Sequence, residues 1–213
     1  MARLVLATAL TLALAAPALA QPLQEPIPPP EPQPQIAYRR STPVGVWWAG
    51  KLRRGVQLPA EGPDWFTWDP VRKHIPNRGW RRWGTDRLVR TVLEVIADYR
   101  LDNALAPRVG IGDLSRRHGG DFGIRFGGLG HGSHQNGLDA DIYYPRIDGR
   151  ERRPFKPSQV DRELAQDLVD RFVGAGALRV FVGPRTGLRG DPAIVQPLAG
   201  HDNHLHVRLR LRQ

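Results

Sequence analysis

The sequence predicts an α+β domain in which a small antiparallel sheet is flanked by helices and long loops. Three observations predict it: two stretches with helical apolar periodicity, several short strand-like runs in no regular alternation with them, and a terminal "HDNHLHVRLRLRQ" whose polar and apolar residues alternate. Irregular order of helices and strands argues against a parallel sheet built from βαβ units. No internal repeat is visible.

Along the chain, "MARLVLATALTLALAAPALA" (residues 1–20) has one early positive charge at Arg3, an apolar stretch too short to span a bilayer, and Ala18-Leu19-Ala20 before Gln21. It is expected to be a secretory signal peptide. Nothing further approaches the ~18 uninterrupted apolar residues of a membrane-spanning helix, so export to the periplasm without stable membrane insertion is expected. The next stretch, "QPLQEPIPPPEPQPQ", makes residues 21–40 a Pro-rich tether, extended and without a core. Residues 41–213 then suit a single domain.

The chain contains 31 Lys+Arg, 21 Asp+Glu and no cysteine. Disulfides, thiolate metal sites and cysteine nucleophiles are thereby excluded. Loss of Arg3 with the signal leaves 30 against 21, a formal charge of +9. A basic exported protein suits an acidic envelope partner such as peptidoglycan carboxylates, anionic wall polymers or lipid head groups; solubility and an arginine-rich composition explain the charge equally well. No nucleic-acid partner is expected.

Residues 41–80 mix turn residues with Trp47, Trp48, Trp65, Trp68 and Trp80, and predict a loop-rich layer with short strands. The tryptophans suit core packing first and a groove for sugar or peptide second. From Thr85, a plausible N-cap, "DRLVRTVLEVIADY" places Leu88, Val89, Val92, Leu93, Val95, Ile96 and Tyr99 on one helical stripe. "RVGIGDLS" reads as a buried strand, followed by a run with eight glycines from Gly119 to Gly137 that forms either a cleft wall or a long surface loop. A strand over 138–144, a helix over 158–175 capped by Ser158, and a strand over 178–183 complete the elements before the terminal strand.

Residues two apart on a strand share a face. The ending therefore sorts into Leu205, Val207, Leu209 and Leu211 toward a core, and His204, His206, Arg208, Arg210 and Arg212 toward solvent or a ligand. Two imidazoles about 6.6 Å apart at the backbone can converge on one small object. Alone, such a pair is more often a surface feature. In "HGSHQNGLDAD", however, His134 precedes a strand that carries Asp141, and one carboxylate with two imidazoles is a catalytic zinc set. Asp139 shares the strand face of Asp141, placed either to accept a hydrogen bond from a ligating imidazole or simply to be solvated. The arginines after His206 are expected to lie outside the chemistry. There is no H-E-x-x-H and no P-loop, and Ser133 does not sit in a nucleophile elbow.

"GHGSHQNGLDADI" and "HDNHLHVRL" resemble the paired H-x6-D and H-x-H motifs of the lysostaphin, D-Ala-D-Ala peptidase and hedgehog-like metallopeptidases. Within that group the chain is most similar to the penicillin-insensitive murein endopeptidases, over roughly Ser41 to Arg212. The resemblance implies zinc held by His134, Asp141 and His206, with His204 beside it as the catalytic histidine. It implies for His131 and His201 an additional ligand, a supporting contact or a substrate contact. No histidine lies between His134 and His201, so one zinc is expected and not a second. The implied activity is periplasmic hydrolysis of D-alanyl to meso-diaminopimelyl cross-links in peptidoglycan. The alternatives are a D-Ala-D-Ala carboxypeptidase and a non-catalytic zinc-containing wall-binding domain. His204 either takes a proton from water or, as imidazolium, binds the developing oxyanion.

Overall fold

The computed structural model describes residues 32–123 and 132–211. The expected signal peptide, the tether up to residue 31, residues 124–131 of the glycine-rich run (with His131) and Arg212 lie outside them. Described residues 32–40 are docked rather than free. Ile36 and Tyr38 pack against the core, Arg90 lies 3.5 Å over the Tyr38 ring, and the Asp86 carboxylate accepts from Arg39 and Ser41 N–H.

Residues 41–84 form the expected layer of short strands: a hairpin of β1 (Thr42–Val46) and β2 (Ala49–Arg53), then β3 (Val56–Gln57), β4 (Trp65–Thr67) and β5 (Trp83–Gly84), with β3 paired to β5. Its tryptophans divide. Trp65 and Trp68 are buried, whereas Trp47 and Trp48 sit exposed at the hairpin turn. Helix α1 (Asp86–Asp102) begins as expected: Thr85 Oγ1 accepts from Leu88 N at 3.1 Å, and Leu88, Val89, Val92, Val95, Ile96 and Tyr99 are buried along one stripe.

Helix α2 (Arg162–Gly174) starts four residues later than its periodicity predicts. Pro157–Gln159 forms instead a short 3-10 turn, drawn closed by Gln159 Oε1, which accepts from Phe155 N, Lys156 N and Arg146. Val160 is extended and buried, and Asp161 rather than Ser158 caps the helix by accepting from Leu164 N at 3.2 Å. Among the described residues no helix is long and apolar enough to cross a membrane.

The main sheet adds β6 (Val109–Ile111), β7 (Asp139–Tyr143), β8 (Ala177–Val182), β9 (Val195–Pro197) and β10 (His204–Leu209), in the order β4-β6-β7-β10-β8-β9. Its four central strands are antiparallel and the two edge pairs, β4 with β6 and β8 with β9, are parallel. One face, with Ala140, Ile142, Val180, Leu205 and Val207, packs against the apolar stripes of α1 and α2 to form the core. Each Leu, Ile or Val fully buried there contributes about 1.5–3 kcal/mol relative to exposure.

The terminal strand keeps its predicted alternation only to Leu209. Beyond it Leu211 is 46% exposed and seals nothing. The polar face is not left to solvent either: His206 and Arg208 are 4% and 7% exposed.

Candidate metal centre

Two antiparallel strands far apart in sequence build the floor of the site. The register of β7 against β10 places His206 opposite Asp141, Arg208 opposite Asp139 and His204 opposite Tyr143. Pleating sends these residues away from the helices while Ala140, Ile142, Leu205 and Val207 point into the core.

His134 arrives from the loop before β7. Its backbone lies in the left-handed region (φ 66°), which costs a residue other than glycine about 1–3 kcal/mol and recurs at functional sites. Its buried ring is fixed by the Nδ1–H, which donates to the Leu114 carbonyl at 2.5 Å, and this turns Nε2 toward Asp141, 3.3 Å from Oδ1. Phe122 packs beside it, ring centroids 6.1 Å apart. Asp141 is tied to the same segment, since its N–H donates to the Asp113 carbonyl and its carbonyl accepts from Gly112 N.

Beneath this segment Arg81 and Asp113 form a buried ion pair. Arg81 Nε donates to Asp113 Oδ1 at 2.6 Å, and Asn77 Nδ2 donates to the same oxygen and to the Gly112 carbonyl. Residues 112–114 thus position both His134 and Asp141. Arg81, Asp113 and Asn77 lie too far from the histidine motifs in sequence to signal a connection with them.

His206 stands between two carboxylates. Its Nε2–H donates to Asp139 Oδ1 at 2.8 Å, and its Nδ1 is 3.1 Å from Asp141 Oδ1. Burial works against charge on this imidazole, yet Asp139 and Asp141 push its pKa up to about 9. Burial likewise penalises the Asp141 carboxylate, but the imidazoles of His134 and His204 and hydrogen bonds from His134 and His206 hold its carboxyl well below the usual range. The pocket favours a cation between these groups.

Ligand atoms of His134, Asp141 and His206 all lie within 4.8 Å of one another, and each residue is buried. Hydrogen bonds to Leu114 and Asp139 use the outward nitrogen of each imidazole and leave the inward one for a metal. Two nitrogens and one carboxylate fit a divalent zinc-type ion with an open position.

The other predicted residues sort by distance. His204 is half-buried, with Nε2 3.6 Å from Asp141 Oδ1 and its Nδ1–H donating to Asn203 Oδ1 at 2.6 Å. His201 stacks on His204, ring centroids 4.7 Å apart, and its Nδ1 bonds to the Ala199 carbonyl rather than joining the ligand group. Burial is the largest influence on His201 and lowers its pKa, keeping it neutral. Asp139 is buried and accepts from the His206 Nε2–H. His131 falls outside the described residues.

A cavity of about 530 Å³ opens over this floor, lined by Trp47, Ser133, Phe181, His201, His204 and Arg208 among others. Arg208 corrects the expectation that the arginines after His206 stand outside the site. Its Nε–H donates to Asp139 Oδ1 at 2.6 Å, and its guanidinium lies 4.0 Å over the Trp47 ring. The alternation had placed Arg208 on the face of His206, but not Asp139 opposite it.

The sequence profile of the penicillin-insensitive murein endopeptidase family matches residues 43–175, which is 133 of 213 positions and includes His134, Asp139 and Asp141. A penicillin-insensitive murein endopeptidase of Yersinia enterocolitica is 32% identical over 47% of this chain and 44% of its own length. One from Pectobacterium atrosepticum is 34% identical over 43% of each. The matched part thus spans less than half the length of these relatives.

Proposed function

The chain belongs to the penicillin-insensitive murein endopeptidase family, and from that premise we propose that it is a periplasmic zinc endopeptidase cutting D-alanyl to meso-diaminopimelyl cross-links of peptidoglycan. The observation that carries the reading is the convergence of His134, Asp141 and His206 on the floor of an open cavity with His204 alongside. These three residues would hold the metal. Bound there, zinc would supply Lewis acidity, acidifying water and polarising the scissile carbonyl.

The remaining work belongs to the protein. Because Asn203 Oδ1 takes the Nδ1–H of His204, Nε2 carries a lone pair at the cavity, set to accept a proton from the attacking water. The same nitrogen, once protonated, donates to the leaving amine or the oxyanion. His201 stacks on the ring and narrows its range of orientations. The formal excess of basic residues suits a substrate rich in carboxylates, and residues 1–20 have the pattern of an export signal.

The test is chromatography of muropeptides released from purified sacculi, with zinc content measured in parallel. Cross-linked dimers should fall to monomers, and His206→Ala should lose both zinc and activity. A His206→Ala protein that keeps full activity and its zinc would overturn the assignment. Cleavage of a pentapeptide monomer with no action on a defined dimer would indicate a carboxypeptidase instead.

A further inference from the structure

On the metallopeptidase reading above, we infer that Arg208 is a positioning residue for the metal centre: through Asp139 it keeps the His206 ring in the one tautomer and orientation that presents Nδ1 to the ion. The geometry is specific. Arg208 Nε–H and His206 Nε2–H both donate to the same oxygen, Asp139 Oδ1, at 2.6 and 2.8 Å. The carboxylate cannot turn away from one without leaving the other, while Oδ2 is buried with no hydrogen-bond partner among the described residues.

Burial makes this anchoring matter. Asp139 is fully buried, and a buried polar atom that loses a hydrogen bond is costly. Arg208 brings a charge-assisted bond from its rigid fork to Asp139 Oδ1, and His206 brings the second donor. Without Arg208 that oxygen keeps a single donor and the carboxylate is free to rotate, releasing the His206 ring.

Arg208 is itself held in place. Its guanidinium lies 4.0 Å over the Trp47 ring and 5.5 Å from that of Phe181, and it is 7% exposed, so water does not compete for its bond to Asp139. Trp47 is in turn tied to the His134 loop, its carbonyl accepting from Gln135 N at 3.2 Å. The exposed hairpin turn thus serves the metal floor beneath it.

The test compares wild type, Arg208→Gln and Arg208→Lys, each loaded with zinc. Zinc affinity is measured by chelator competition, and the His206 Nε2–H is followed by nitrogen-15 and proton NMR. Arg208→Gln should weaken zinc binding about 10–100-fold, as loss of a residue supporting a metal ligand does, and the Nε2 proton should exchange rapidly with water. Arg208→Lys keeps the charge and the buried stem but not the rigid fork, and should show a smaller loss of affinity and a partly protected proton. Unchanged affinity and an unchanged, protected proton in either folded variant would overturn the inference. Wild type that holds zinc but cuts no cross-link would remove the endopeptidase reading and leave the role of Arg208 standing; wild type that holds no zinc would overturn both.

Discussion

Asp113→Asn removes a charge from beneath the candidate metal site while keeping the shape of the side chain. Both members of the Arg81–Asp113 pair are buried, so the variant leaves Arg81 as a cation without its carboxylate. Breaking a buried pair from one side costs about 3–5 kcal/mol. Asp69 also acts on Arg81 and leaves the cation with some negative charge nearby, which places the expected loss near the lower end, about 3 kcal/mol. That is about a 140-fold shift toward the unfolded state, taking each 1.4 kcal/mol as tenfold. Urea unfolding with excess chelator, so that bound metal adds nothing, should show a lower midpoint at unchanged slope. Replacing both partners, Arg81→Met with Asp113→Leu, should recover most of the loss, because Asn77 Nδ2 keeps its bond to the Gly112 carbonyl. An Asp113→Asn protein within 1 kcal/mol of wild type, or a double variant no more stable than the single one, would refute this account of the pair.

Thr85→Ala should cost about 1 kcal/mol by leaving the Leu88 N–H uncapped, read as a lower urea midpoint. Asp69 sets a pH dependence: although burial opposes its ionisation, N–H groups of Arg72 and Val71 and the guanidinium of Arg78 hold its carboxyl below the usual range. The stability it contributes is complete above the unfolded carboxylate value of about 3.9 and is lost as pH falls through the lower folded value. Asp69→Asn should therefore unfold with a shallower pH dependence in that acid window, followed by circular dichroism. Chelator should lower the thermal midpoint of the zinc-loaded protein; at free zinc 100 times the dissociation constant the metal adds about 2.7 kcal/mol, and an identical melting curve with and without chelator would show that no ion links these strands.

Much of the scaffold is legible locally. The α1 stripe and its Thr85 cap depend on neighbours within a few turns, and both stand as read. The start of α2 does not: Gln159, bonding back to Phe155 and Arg146, closes a 3-10 turn over the expected cap Ser158, and Asp161 caps the helix instead. The histidine motifs name the residue types of a metal site, and His134, Asp141 and His206 do converge. His201 has the same credentials in sequence, but the turn before β10 stacks it on His204 instead.

The sequence by itself determined which residues share a face. Period-2 alternation in "HLHVRL" is a property of the strand, so Leu205 and Val207 inward, with His204, His206 and Arg208 together opposite, follow without any partner. Only the tertiary structure decided what each of them meets. The register of β7 against β10 sets Asp141 beside His206 and Asp139 beside Arg208, and the β1–β2 hairpin brings Trp47 over the guanidinium. Hydrogen bonds of under 3 Å between residues more than 60 positions apart depend on how strands pair and loops close, and that turns an arginine of the last strand into part of a buried polar network beside the candidate metal site.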